Sequence, residues 1–199
     1  IKWKKLNNKV HCNFNANTIV TEKIIFCTNG FLSSQGIKPR YNFPITLTAS
    51  MTRSLTNDEF KSIGEPNEWG VLPVRPMGAT IRMTKDKRFL IRNTAEERNL
   101  NKLSKVDLEK RRNIHLNGIQ KRFPSLPKDI IDSTWSGVVS RSGNSSQIFE
   151  KIDQNIFAAG CYNGSGIGLG TLFGEQIAYK AENQATDEIN MIENLKKPN

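Results

Sequence analysis

The sequence predicts an α+β fold, and three features carry that expectation. Short β-prone runs alternate with turn residues through the first half, one amphipathic stretch in the middle is long enough for a helix, and an apolar strand, a glycine-rich loop and a second helix follow one another near the C-terminus. At 199 residues the chain can bury roughly 70% of the surface its unfolded form exposes, which suffices for one sizeable core or two small ones.

The first elements are the short β-prone runs Thr18 to Val20 and Glu22 to Cys27; the second is nearly continuous in apolar residues, as in a strand buried on both faces. It stops at the turn signal Thr28-Asn29-Gly30. Asn42 to Leu55 is rich in Thr and β-branched residues and starts near Pro44, which suits an edge strand or the start of a strand. Ala79 to Thr84 and Arg88 to Arg92 read as a hairpin joined by Lys85-Asp86-Lys87. A helix is expected over Ser104 to Phe123, with Ser104 as N-cap, Leu108, Leu116, Ile119 and Phe123 on one face, and Pro124 as its stop. Strand-like residues follow at Ile130 to Val139 and Ile156 to Ala159. Beyond the glycine-rich loop, Leu169, Leu172, Phe173, Ile177 and Ala181 recur at helical steps, so a helix is expected from Gly168 to Ala181. Residues 183–199 form a polar tail with helical character near Asp187 to Leu195, expected to fray or pack loosely.

Composition narrows the function classes. With 37% hydrophobic and 24% charged residues, and no apolar run near the ~18 residues of a membrane span, membrane insertion is not expected. The opening IKWKKLNN has neither an initiator Met nor the pattern of a secretory signal, so the chain is expected to start mid-protein. Cys12, Cys27 and Cys161 are widely spaced and accompanied only by His11 and His115, which points to a reducing, cytoplasmic setting and no metal site. A net charge of +10 fits a basic binding module for nucleic acid or another anionic partner. The cations are scattered, however, and match no DNA-reading or RNA-reading pattern.

The most distinctive segment is Gly160 to Thr171, GCYNGSGIGLGT. A strand entering a glycine-rich turn and then a helix presents main-chain N–H groups where the helix dipole favours anions. The loop fits neither the dinucleotide fingerprint G-x-G-x-x-G nor a P-loop. Gly160, Gly170 and Gly174 could simply let a helix pack closely on a sheet; five glycines from Gly160 to Gly170, with Asn163 and Ser165 among them, favour a turn that faces a ligand. No nucleophile elbow and no acid–base pair is visible, so no catalytic side chain is assigned.

IFAAGCYNGSGIGLGTLFGEQIAYKA resembles the C-terminal flavin-binding segment of the D-amino-acid-oxidase-like FAD-dependent oxidoreductases, the family of glycine and sarcosine oxidases. EKIIFCTNGFL, IRMTKDKRFLIRN and FPSLPKDIIDSTWSGVV resemble other passages of that family in the same order, and together they cover roughly residues 20 to 182. The resemblance implies the C-terminal portion of such an enzyme. Residues 1–32 and 125–182 would belong to an FAD-binding α/β domain, with a strand, loop and helix as its returning part, and 33–124 to a substrate-binding domain on an antiparallel or mixed sheet. It implies that Gly160, Asn163, Gly164, Ser165, Gly166, Ile167, Gly168 and Thr171 lie at the flavin, with Thr28 and Asn29 near the nucleotide portion. Arg82 would clamp an amino-acid carboxylate through two parallel hydrogen bonds, and Trp135 would cover flavin or substrate.

The implied reaction of the intact parent is oxidation of a C–N bond in a small amine or amino acid, by hydride transfer to flavin. Cys27 stands where relatives have Ala, and Cys161 is read as a small packing residue and not a flavin attachment. Without the G-x-G-x-x-G cradle of a missing N-terminal half, this piece alone is expected to be inactive, to hold little or no FAD, and to self-associate through an exposed interface.

Overall fold

A computed structural model describes residues 2–74, 78–97 and 103–198. In chain order the elements are β1 (Lys2–Leu6), β2 (Lys9–Phe14), β3 (Asn17–Thr21), β4 (Ile24–Phe26), two 3-10 turns (Asn29–Phe31 and Ser33–Gln35), β5 (Phe43–Thr52), α1 (Asn57–Ser62), β6 (Trp69–Val71), β7 (Thr80–Met83), β8 (Phe89–Glu97), α2 (Lys105–Gln120), β9 (Ile131–Arg141), β10 (Ile148–Asp153), β11 (Ile156–Gly160), α3 (Gly166–Ala181) and α4 (Asp187–Glu193). The fold is α+β, as expected. The chain divides into two compact units, one of residues 1–45 with 139–199 and the other of residues 46–138.

The first unit is layered on a three-stranded sheet of order β10-β11-β4. β11 is buried along its whole length because alternation sends its side chains into two separate cores. Ile156 and Ala158 join Val10, Cys12, Phe26 and Leu32 on one side, while Phe157 and Ala159 join Phe149, Phe173 and Ile177 of α3 on the other. β4 pairs in parallel with β11, Ile24 opposite Ile156. β4 was expected to be buried on both faces; Phe26 is buried, but Ile25 keeps 37% exposure, and β4 stands at the edge of this sheet among the described residues. Lys23 donates to the Ala181 carbonyl at 2.5 Å, setting a cation at the negative end of α3. The tail also departs from expectation: α4 is capped by Thr186, and Ile189 and Ile192 insert beside Phe173 and Ile177.

Two further strands come from the lysine-rich opening, which carried no strand expectation. Asn7 and Asn8 have φ of 48° and 59°, the left-handed pair of a two-residue hairpin turn. The resulting register alternates Lys2, Lys4 and Leu6 outward with Trp3 and Lys5 inward, opposite Cys12 and Val10. Trp3 packs on Phe26 and donates its indole N–H to the Gln35 carbonyl at 3.1 Å. β10 was likewise unexpected; it forms an antiparallel hairpin with β11.

The second unit is built on a sheet of order β6-β7-β8-β5-β9. The expected hairpin is present as β7 and β8, with Met83 opposite Phe89 and Ile81 opposite Ile91. Those four residues are buried with Ile119 of α2, Leu126 and Ile130. α2 begins where expected, the Ser104 hydroxyl accepting from the Asp107 N–H at 3.1 Å. β5 starts at Phe43 and Pro44, but it lies inside the sheet between β8 and β9 and not at an edge. Pro44 is tolerated there as the second residue of the strand. Thr56 and Glu59 form a full capping box on α1, and Arg53 grips the Glu59 carboxylate with two bonds of 2.7 Å. That guanidinium holds the Glu59 carboxyl down at about 2.

Candidate functional site

The glycine-rich turn is held in shape by a polar network inside the first unit. The Asn29 Oδ1 accepts from the Tyr162 N–H at 3.3 Å, and the Asn29 carbonyl accepts from the Asn42 amide at 3.2 Å. Ser140 donates its hydroxyl to Asn42, and the Ser140 carbonyl accepts from the Asn163 N–H at 3.1 Å. The Asn163 side chain donates to the carbonyls of Cys161 at 2.8 Å and Ser146 at 3.1 Å, and accepts from the Ser142 N–H at 3.0 Å. Asn163 therefore works as an internal tie for the turn, and Asn29 as a tie between the turn and the end of β4. Asn42, Ser140 and Ser142 were not anticipated, and nothing in their local sequence distinguishes them from loop residues.

Positive φ values at Cys161 (55°), Asn163 (53°) and Gly164 (99°) fold the chain back sharply before α3. Cys161 is fully buried, and burial pushes its thiol up, with the Ser140 and Ser142 hydroxyls opposing in part. Burial likewise pushes Tyr162 up to about 12.

The glycines of this segment fall into two groups. A Cβ on Gly160 would lie 2.5 Å from Leu32 Cδ1 and 3.2 Å from Asn29 Cα, so β11 can approach the Asn29 turn only with glycine there. A Cβ added at Gly166 or Gly170 would meet the Tyr162 ring at 3.7 or 3.5 Å, ordinary van der Waals distances. A Cβ added at Gly164, Gly168 or Gly174, in contrast, would meet no other part of the described chain within 4 Å beyond its chain neighbours and its own helix. Close approach of β11 to the Asn29 turn therefore accounts for Gly160, and close packing does not account for Gly174. The whole run Gly164, Ser165, Gly166, Ile167 and Gly168 is exposed, Ile167 by 93%. It borders a shallow groove of about 420 Å³ with Leu169 and Leu172. No acidic residue lies in the first turn of α3, which begins two residues earlier than expected, so no carboxylate of that turn offsets the partial positive charge of the helix end beside this groove. Thr171 is exposed and donates to the Ile167 carbonyl at 2.9 Å; Thr28 is exposed at the start of the first 3-10 turn.

In the second unit, Arg82 and Trp135 both lie away from α2. The sheet face against α2 holds Ile81 and Ile91, and it also holds Ser50, which bonds His115 of α2 at 2.7 Å and Thr134 at 2.8 Å. Alternation turns Arg82, next to Ile81, and Trp135, next to Thr134, to the opposite face. Arg82 is exposed and Trp135 is 42% exposed. Arg82 borders a groove of about 560 Å³ with Glu68, Gly70, Leu72, Thr80 and Leu90. Among the described residues, no group of His, Cys, Asp and Glu could hold a metal ion, and no helix is long and apolar enough to cross a membrane.

Residues 5–180 match the family model of the FAD dependent oxidoreductases, DAO type. Among solved structures, the chain is similar to glycine oxidase from Geobacillus kaustophilus, with a TM-score of 0.70 and 15% identity over 94% of this chain and 48% of that one. It is also similar to L-proline dehydrogenase from P. horikoshii, with a TM-score of 0.65 and 17% identity over 94% of this chain and 50% of that one. Iminodiacetate oxidase from Chelativorans sp. BNC1 gives a TM-score of 0.70 and 14% identity over 94% and 49%. The chain thus spans about half the length of each of these structures. No curated protein matches it in sequence.

Proposed function

The chain belongs to the FAD-dependent oxidoreductase family, and from that membership we propose that the intact protein oxidises a C–N bond of an amine or amino acid. In this reading the unit of residues 1–45 and 139–199 contributes the turn that meets the flavin, and the unit of residues 46–138 contributes the sheet that binds the substrate. The observation that carries it is the exposed run Gly164 to Gly168 at the start of α3. Open space at Gly164 and Gly168, and a first helical turn without an acid, fit the edge of a planar ring that gains negative charge. Gly164, Ser165, Gly166, Ile167 and Gly168 would hold the flavin ring, with Gly160, Asn163 and Thr171 fixing the turn and Thr28 and Asn29 near the nucleotide portion. When bound, FAD supplies a two-electron acceptor for the hydride that leaves the substrate carbon.

Arg82 would hold a substrate carboxylate, and Trp135 would cover the apolar part. The structural neighbours are named for glycine, L-proline and iminodiacetate; each of these carries an amine nitrogen and a carboxylate, which supports the same substrate class here. Three free cysteines are consistent with a cytoplasmic setting.

The test is expression of the chain together with its upstream coding sequence. Stoichiometric flavin and its anaerobic bleaching by an amine or amino acid are expected; a flavin-free product that folds would overturn the proposal. The 199-residue chain by itself contains no G-x-G-x-x-G cradle for the ADP half, so it is expected to bind FAD weakly and to show no turnover. A yellow, stoichiometric complex of the chain alone would contradict this.

A further inference from the structure

We propose that the open face of the second unit's sheet recognises a substrate with two carboxylates, Arg82 taking one and Arg92 the other. The inference rests on the substrate-binding role assigned to this face above and adds the second anionic group. The β7–β8 register sets Arg82 opposite Leu90 and Thr80 opposite Arg92, so the two arginines are diagonal neighbours on one face of adjacent strands. Diagonal pairs of this kind lie roughly 7–8 Å apart at the backbone.

Arg92 is half-buried and oriented: its Nη2 donates to the Thr80 hydroxyl at 2.9 Å, and among the described residues its guanidinium makes no ion pair. Arg82 has no ion-pair partner among the described residues, and its stem crosses Gly70, whose hypothetical Cβ would lie 3.8 Å from Arg82 Cγ.

A single carboxylate neutralises one of these cations and leaves its neighbour repelled across a short distance; a dianion neutralises both through charge-assisted bonds. Glu68 is the one acid on the lining of the adjacent groove and makes no ion pair with Arg82. Leu90, opposite Arg82 and on the same face as Arg92, also lines this groove and gives it an apolar floor for the carbon skeleton between the carboxylates.

Titration of the 199-residue chain with glutarate and with butyrate at low ionic strength, followed by amide chemical shifts, tests this. Glutarate is expected to bind about fivefold more tightly than butyrate. R92Q should erase that preference, R92K should keep it, and R82Q should weaken both ligands. Equal binding of the two ligands that still depends on Arg82, or a preference that survives R92Q, overturns the inference while leaving a monocarboxylate site intact. Failure of both ligands to bind, or indifference to R82Q, overturns the substrate role of this face and the inference with it.

Discussion

Each unit contains a buried polar network, and the two end differently. In the first unit the chain of bonds through Asn29, Asn42, Ser140 and Asn163 closes on main-chain carbonyls and N–H groups, so the side-chain amides that shape the turn are matched. In the second, Ser50 joins His115 Nδ1 to Thr134, but the buried His115 Nε2 has no hydrogen-bond partner among the described residues. A closed network of neutral groups fixes a conformation without reference to pH, whereas a buried imidazole with one unmatched nitrogen resists protonation. The turn is thus a conformationally fixed element of the first unit, and the sheet under α2 is the acid-sensitive element of the second.

Acid provides the largest test of that contrast. Burial, assisted by Arg111, lowers His115 from 6.5 to about 4. The unfolded chain therefore binds more protons between those values; the stability contribution is complete above 6.5 and is lost as pH falls toward 4, by about 3 kcal/mol. Denaturant midpoints across this range should show the loss, and amide exchange should accelerate in β5, β9 and α2 ahead of β11. Uniform acceleration across both units would dissolve the contrast, as would an unchanged pH slope in H115F.

Next in size, Gly160→Ala should destabilise the chain by about 2–3 kcal/mol, because the added carbon meets Leu32 and the Asn29 backbone. Thermal melting measures this directly. Asn163→Ala should cost about 1–2 kcal/mol, because the Ser142 N–H and the Cys161 carbonyl lose this partner while the Ser146 carbonyl keeps the Ser142 hydroxyl. Its amide-exchange signature should be confined to the Ser140 to Ser146 segment and the turn. The smallest change has the opposite sign: Gly168→Ala should stabilise α3 by about 0.5–1 kcal/mol, since the site is helical and open. If the turn meets flavin, the same substitution lowers the flavin content of the intact protein; a stabilised variant with full flavin content would show that Gly168 lies elsewhere.

Local signals were legible where one residue type has one physical use. Ser104 and Pro124 bracket α2 because a hydroxyl caps free N–H groups and proline removes one, and both effects act within a few residues. The hairpin of β7 and β8 follows from alternation on either side of a polar turn. β1 and β2 were missed because lysines, including the inward Lys5, mask a hairpin whose apolar inward residues are Trp3, Val10 and Cys12; the left-handed pair Asn7-Asn8 was the available signal. Arg92 was also within reach, since alternation with Phe89 and Ile91 turns Leu90 and Arg92 outward beside Arg82. Asn163 was legible as part of the turn, but its role as a tie was not, because Ser142 and Ser146 lie 21 and 17 positions away in sequence.

From the sequence alone came the α+β class, the strand, glycine-rich loop and helix near the C-terminus, and the family resemblance, because each rests on short-range periodicity or on residues adjacent in the chain. Only the tertiary structure decided which glycines of that loop are packed and which stand open. Gly160 and Gly168 are the same residue in the same motif, and they differ only in what the rest of the chain brings near: Leu32 and Asn29 in one case, empty space in the other. Packing is a property of distant neighbours, and no local pattern encodes it.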